Sequence, residues 1–367
     1  MRVLLVIYGS LDQQSGGYLY DRQVVGYLQR RKVQVEILSL PRCAYLLCPL
    51  ASLRRSGPQE RLRRLLQGKY EGRGFDTVIV DELVHPSVFR AAARRGTAEP
   101  PLLTLVHHLR SQEPGGPLLR WIALGMERVL LRHSDAAVVN SRVTAQTVRK
   151  LVGPGMPLYL CPPGNDLLPG LERRWESLRP AGSSAREVRL LVTGNLIQRK
   201  GHDLLLRMLA GLRRHPWRLR IVGPVVDHRF RRRLGRLERR LGLSGRVEYT
   251  GELSGDELAR EYLRADVFVF PSRYEGYGIS LAEALRAGLP FVAFAAGATA
   301  EVTGGRGLLF PPGDLEGFAG ALERLVTDSE ERSQAAALSR ELSAGLPGWA
   351  ETGRRFYEAL GEIVGHA

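Results

Sequence analysis

Residues 266–290 read Asp266-Val-Phe-Val-Phe-Pro-Ser-Arg-Tyr-Glu275-Gly-Tyr-Gly-Ile-Ser-Leu-Ala-Glu283-Ala-Leu-Arg-Ala-Gly-Leu-Pro290. Val267–Phe270 is a short β-branched and aromatic run, the composition of a buried strand. Pro271 and Ser272 stop it. Glu275-Gly276-Tyr277-Gly278 follows as a loop whose glycines permit tight backbone. A helix opens at Ile279 or Ser280 and ends at Gly288-Leu289-Pro290. Glu275 therefore precedes the helix, and Glu283 lies about two turns further along. A diphosphate at that N-terminus would meet backbone amides and the positive end of the helix dipole. A helical glutamate can accept two hydrogen bonds from a vicinal diol such as a ribose.

A Glu-x7-Glu spacing alone decides nothing. Framed by Pro271-Ser272, Gly276, Gly278 and Gly288-x-Pro290, the stretch resembles the donor-site signature of family 4 retaining glycosyltransferases with the GT-B fold. The resemblance implies an α/β chain of two doubly wound parallel-sheet (Rossmann-like) domains facing each other across a cleft. Residues 1–166, with a returning C-terminal helix over 349–367, would bind the acceptor. Residues 167–185 would be a linker, and 186–348 would bind the nucleotide sugar.

The chain has 367 residues, enough for two ordinary α/β cores. Its longest apolar runs are strand-sized, far short of a membrane span. Met1–Ile7 is too short for a signal peptide and lacks a small-residue cleavage site, so it reads as the first strand. Cys43, Cys48 and Cys161 have no metal-ligand spacing and suggest a reducing compartment. The net charge is +15, and residues 1–180 hold 26 basic against 15 acidic residues. That half thus carries +11 of the excess, which favours an anionic partner: a membrane surface or a phosphate-bearing acceptor. The expected location is cytoplasmic, peripheral on the inner face of the membrane if the surface is bound.

Val3–Ile7, a glycine-bearing loop, a helix from about Tyr18 and an alternating strand from Val33 form an opening βαβ unit. The loop lacks GxGxxG. Gly16 and Gly17 resemble the family's N-terminal loop that approaches the donor; a tight turn without ligand is the other reading. Leu50 to Gln67 is split by Pro58, and its second part, with Arg61, Arg63 and Arg64 beside Leu62, Leu65 and Leu66, reads as a basic amphipathic helix. It is either a solvated domain helix or a bilayer contact, as in related lipid-modifying enzymes. Asp76–Val80 runs into Asp81-Glu82-Leu-Val-His85, and Leu102–Val106 into His107-His108-Leu-Arg110. These are polar residues at the ends of parallel strands, where open α/β sheets bind ligands. His107 matches the family histidine near the reacting sugar and acceptor. A further helix is expected over Trp121–Arg132.

In the second half, Val188–Thr193 leads into Gly194-Asn195-Leu-Ile-Gln-Arg199-Lys200-Gly201. In the family this loop carries Arg, four residues, then Lys, and both cations grip the diphosphate. Lys200 takes the lysine position, while Asn195 stands where the arginine belongs. An amide replaces neither the charge nor the fork of donors, leaving Arg199 as the candidate substitute. Gly251-Glu252-Leu253 resembles the strand end that reads the nucleobase through backbone groups. The arginine-rich stretch Phe230–Leu241 reads as a solvated outer helix; no nucleic acid partner is expected without interleaved aromatics.

The resemblance implies these roles. Glu283 binds the ribose. Lys200, with Arg199 or Asn195, Gly194 and the amides of Gly276, Tyr277, Gly278 and Ile279, bears the leaving diphosphate's charge. Glu275 binds the transferred sugar, and His107 assists sugar or acceptor. No DxD cluster for a metal is present, and no cofactor is expected beyond the UDP- or GDP-linked donor. The acceptor would be a lipid, a glycan or a small molecule. Other readings are a phosphorylase-like or hydrolytic relative, and a non-catalytic nucleotide-sugar-binding scaffold at the membrane.

Overall fold

A computed structural model describes residues 1–13, 15–41, 74–96, 99–172 and 187–365. The Leu50–Gln67 stretch, Cys43, Cys48 and residues 173–185 of the expected linker lie outside these residues. The chain divides into two compact units: residues 1–163 with 349–367, and residues 164–348.

The first unit holds β1 (Arg2–Tyr8), β2 (Gln34–Leu40), β3 (Thr77–Asp81), β4 (Leu102–Val106), β5 (Ala136–Val139) and β6 (Leu158–Leu160). They form one parallel sheet in the order β2-β1-β3-β4-β5-β6. Around it lie α1 (Gly16–Arg30), α2 (His85–Ala92), α3 (Pro117–Arg132) and α4 (Arg142–Val152). Every residue of β3, β4 and β5 is buried, as expected of strands covered on both faces. The order reverses between β1 and β3, so their C-terminal ends border a topological switch point, where open α/β sheets leave a crevice for ligand.

The second unit holds β7 (Val188–Thr193), β8 (Trp217–Val222), β9 (Val247–Gly251), β10 (Val267–Phe270), β11 (Phe291–Phe294) and β12 (Leu308–Phe310). Its parallel order is β12-β11-β10-β7-β8-β9, and the switch point falls between β7 and β10. The helices are α5 (His202–Gly211), α6 (His228–Arg240), α7 (Gly255–Arg264), α8 (Ile279–Arg286), α9 (Thr299–Val302), α10 (Leu315–Thr327) and α11 (Ser329–Ala344). Arginine-rich α6 buries Phe230, Leu234 and Leu237 and turns its arginines outward.

Two features differ from the sequence reading. Leu168 and Leu171, inside the expected linker, are buried in the core of the second unit, packed with residues such as Phe268 and Leu285. Apolar side chains at those positions tie that part of the segment down. The helices α1 and α3 also begin earlier than expected, because Ser15 caps α1 through the Tyr18 amide and Pro117 sits at the first turn of α3. The last helix, α12 (Trp349–Gly365), packs on the first unit: Thr352 Oγ1 donates to Pro162 O at 2.7 Å. Gly353 abuts Tyr27 so closely that a Cβ would lie 2.3 Å from the ring. Among the described residues, no helix is long and apolar enough to cross a membrane.

Candidate active site

The loops after β7 and β10 meet at the switch point of the second unit. Gly201, at φ +72°, lets them touch: a Cβ there would lie 1.9 Å from Pro271 O. Arg273 rivets them, its amide donating to Arg199 O at 2.8 Å and its guanidinium holding both Asp203 oxygens at 2.9 and 3.0 Å. This bidentate pair fixes the loop after β10 against the first turn of α5, which the loop after β7 leads into.

Glu275, 5% exposed, sits at the junction. Lys200 Nζ donates to its Oε1 at 2.7 Å. Arg199 Nη1 lies 3.4 Å from its Oε2 and donates to Tyr274 O at 2.9 Å. Burial would raise the Glu275 pKa, but the Lys200 and Arg199 charges outweigh it and bring it to about 2. Burial likewise pulls Lys200 below the ordinary lysine value, with Glu275 opposing. Arg199 thus reaches the carboxylate that Lys200 holds, whereas Asn195 makes no such contact among the described residues.

Glycines line the same sheet edge. Gly194, Gly223 and Gly251, at φ +138°, +146° and +75°, follow or end β7, β8 and β9. A Cβ on Gly223 would lie 2.2 Å from Gly194 O, and one on Gly194 3.1 Å from Lys200 Cε. Backbone rather than side chain therefore forms this edge. Glu252 and Leu253 follow directly. Past Glu275, Gly276, Tyr277 and Gly278 are buried, and Gly278, at φ +109°, turns the chain into Ile279 of α8.

Glu283, one turn into α8, is 6% exposed. Its Oε2 accepts from Tyr262 Oη at 2.8 Å, and that hydroxyl also lies 2.9 Å from Thr193 Oγ1. Burial raises the Glu283 pKa to about 7, with the Tyr262 bond opposing. Tyr262 is a residue the sequence reading missed. It lies in α7, and nothing in its local pattern marks it as more than core.

The remaining candidates lie in the first unit. His107 follows β4, and its Nε2 is 3.0 Å from Asp21 Oδ1. Asn140 Nδ2 donates to His107 O at 2.7 Å, and Tyr20 meets the ring edge-on at 5.2 Å. Gly17 packs on the ring, where a Cβ would lie 3.1 Å from Cδ2; Gly16 opens the same helix. Gly17 thus makes room for the histidine. Burial lowers the His107 pKa, but Asp21 and Asp81 outweigh it and raise it to about 9. Asp81, at the end of β3, is raised to about 7 by burial and Asp21.

Asp21, Asp81 and His107 gather donor atoms within 4.8 Å, as do Glu82, His85 and Glu127. In the second cluster burial opposes ionisation of both carboxyls. Burial raises Glu82 well above its ordinary value and Glu127 to about 7, and His85 Nδ1 lies 2.8 Å from Glu82 O. Asp21 and Glu127 escaped the sequence reading because each sits mid-helix among residues that carry no motif. His108 points away, paired with Glu113 at 2.8 Å. Cys161 is buried, its thiol pushed up to about 12 by burial, and it takes no part in this chemistry.

Two doubly wound parallel-sheet domains in one chain are the architecture of the GT-B class of sugar transferases. Residues 5–164 match the family described as glycosyl transferase 4-like domain, and residues 187–328 match glycosyl transferases group 1. The chain belongs to family 4 of the GT-B glycosyltransferases and is a transferase enzyme. It is 29% identical over 321 residues to a GDP-mannose-dependent alpha-(1-6)-phosphatidylinositol monomannoside mannosyltransferase of Mycolicibacterium smegmatis, across 82% of this chain and 79% of that one. It is 31% identical to a D-inositol 3-phosphate glycosyltransferase of Stackebrandtia nassauensis, across 70% of this chain and 60% of that one. In fold it is similar to sucrose-phosphate synthase of Thermosynechococcus elongatus, with a TM-score of 0.81 at 20% identity and full coverage of both chains. Anabaena HepE, solved with UDP and glucose, gives 0.71 at 18%, across 99% of this chain and 100% of that one.

Proposed function

We propose that this enzyme moves a hexosyl group from a UDP- or GDP-linked donor to a lipid or glycan acceptor, with retention at the anomeric carbon and without a metal. The observation that carries the reading is the convergence of Lys200 and Arg199 on Glu275 at the switch point. A diphosphate would compete with Glu275 for those two cations, and the N-terminus of α8 would add its dipole. As the bond to the anomeric carbon breaks, charge grows on the leaving phosphate, and preorganised cations stabilise it. This is the task a divalent ion performs in other transferases.

Glu275, kept ionised, would accept hydroxyls of the transferred sugar. Glu283 would accept the ribose diol in its ionised form, oriented by Tyr262. The glycine edge of Gly194, Gly223 and Gly251, with Glu252 and Leu253, would take the nucleoside through backbone groups. Retention would follow from attack on the face the diphosphate leaves, so no separate nucleophile is required. His107, held as an imidazolium by Asp21, would hydrogen-bond sugar or acceptor rather than serve as a base near neutral pH. The named activities of the relatives support a GDP-mannose donor and an acceptor bearing an inositol phosphate as the first pair to try.

The test is a thermal-shift screen of UDP- and GDP-sugars, followed by transfer to phosphoinositide and soluble acceptors with the hits. A stabilising donor that is turned over with retained anomeric configuration supports the reading. Inversion would refute retention, and stabilisation with no turnover on any acceptor, nor hydrolysis on prolonged incubation, would favour a nucleotide-sugar-binding scaffold.

A further inference from the structure

We infer that the outward face of α3 is a docking surface for an anionic lipid bilayer. Leu118, Leu119, Trp121 and Leu124 are 68, 44, 72 and 38% exposed. The other large apolar side chains exposed among the described residues, Met1, Ile37 and Val226, are scattered through the chain. Scattered apolar residues are normal, but four within two turns of one helix are not.

The spacing makes them a ridge. Leu118, Trp121 and Leu124 follow one another at i,i+3, and Arg128 and Arg132 continue the same stripe at i,i+4. The opposite face buries Ala123, Met126, Leu130 and Leu131, so the core does not need the ridge. Arg128 and Arg132 are exposed and make no ion pair or hydrogen bond with any described residue. An apolar stripe led by tryptophan and continued by such arginines suits the boundary between headgroups and acyl chains. Charge favours an anionic lipid over a neutral partner, because α3 itself carries Arg120, Arg128 and Arg132 against a single acid, Glu127, which is buried on the opposite face.

The ridge is mechanically joined to the loop bearing His107. Arg120 Nε donates to Ser111 O at 2.9 Å, and the Ser111 amide donates to Glu127 Oε1 at 2.9 Å. Docking of α3 would therefore bring the end of β4 close to the headgroup layer, where a lipid-borne acceptor sits. That last step rests on the transferase reading; the docking itself does not.

The test is flotation of the full chain with vesicles of equal parts phosphatidylglycerol and phosphatidylcholine, against pure phosphatidylcholine. The wild type should float with the anionic vesicles, less so at high salt. Trp121→Glu with Leu124→Glu should lower vesicle affinity on the order of a hundredfold. Arg128→Gln and Arg132→Gln should each cost about fivefold on anionic vesicles and little on neutral ones. Melting temperature and donor-induced thermal shift, measured on the same preparations, should not change, because the ridge lies outside both cores. A wild type that stays unbound, or a Trp121→Glu, Leu124→Glu variant that floats unimpaired, would overturn the inference. So would self-association of the wild type, lost in that variant, because it would assign the ridge to a second copy of the chain. Loss of donor binding with flotation intact would sink the transferase reading and leave the docking surface standing.

Discussion

Lys200 Nζ stands 2.7 Å from Glu275 Oε1, a contact across 75 residues of sequence between the loops after β7 and β10. The pair is buried enough that removing one partner strands the other. Lys200→Ala should lower turnover on the order of a hundredfold, as loss of one charge-stabilising donor does in other enzymes. It should also raise the Glu275 pKa from about 2, since the Lys200 charge offsets the burial penalty. Arg199→Ala, at 3.4 Å and also engaged with Tyr274 O, should cost about tenfold. Steady-state kinetics of the two variants checks both; a Lys200→Ala enzyme near wild-type rate would move the diphosphate's charge to Arg199.

Tyr262 and Glu283 make the second prediction. Glu283→Ala should weaken nucleotide binding, and Tyr262→Phe should do so by about tenfold, the size of one lost hydrogen bond to a charged group. With the Glu283 pKa near 7, a ligand that binds the ionised carboxylate must displace a proton at lower pH. Nucleotide affinity should therefore fall as pH drops below about 7, and the dependence should vanish in Glu283→Gln. Calorimetry across that range is the measurement. Affinity in Glu283→Ala equal to wild type would remove the residue from the ribose.

The strands that carry the candidate residues were legible in the sequence because parallel strands buried on two faces read as continuous apolar runs, and β3, β4 and β10 are such runs; their order in the sheets, and so the switch points, was not. Glu275, Glu283 and Lys200 were legible because glycines and a proline frame them at fixed spacing. Arg273, Asp203, Tyr262, Asp21 and Glu127 were not. Each acts by bonding a group 16 to 86 residues away, a relation that local pattern does not encode. Asn195 tells the same story from the other side: its mismatch was visible, while the reach of Arg199 to Glu275 needed coordinates.

Gly201→Ala tests the join between the two loops. The position needs φ +72°, and a Cβ would lie 1.9 Å from the Pro271 carbonyl oxygen. Backbone cannot yield as a flexible side chain can, so the substitution should destabilise the second unit by about 3 kcal/mol. Chemical denaturation checks the stability. If the variant folds, its donor affinity should fall with no new charge or lost contact at the ligand. Wild-type stability would mean that the loops part readily and that Arg273 is not a rivet.

The Asp21–His107 pair predicts how the first unit responds to alkali. The folded His107 pKa of about 9 exceeds the unfolded value of about 6.5, so the folded state binds the extra proton. Its stabilisation is complete below about pH 6.5 and is lost as pH rises towards 9. Asp81, raised to about 7 by burial first and Asp21 second, works in the same direction at lower pH, since the folded state also prefers its protonated form. Stability of the wild type should therefore decline from mildly acidic to alkaline pH. Asp21→Asn removes the carboxylate that does most to raise His107 and leaves burial to pull it down. The imidazole should then titrate below the wild-type value of about 9, held up only by Asp81 and Glu82, and the alkaline decline should shrink and move to lower pH. Proton NMR of the His107 ring reads the first effect, and melting temperature across pH reads the second. Asp21→Asn should also lower turnover near neutral pH more than it changes donor affinity, because the imidazolium is assigned to sugar or acceptor and not to the nucleotide. A His107 that titrates unchanged in Asp21→Asn would show that Asp81 and Glu82 hold the proton without it.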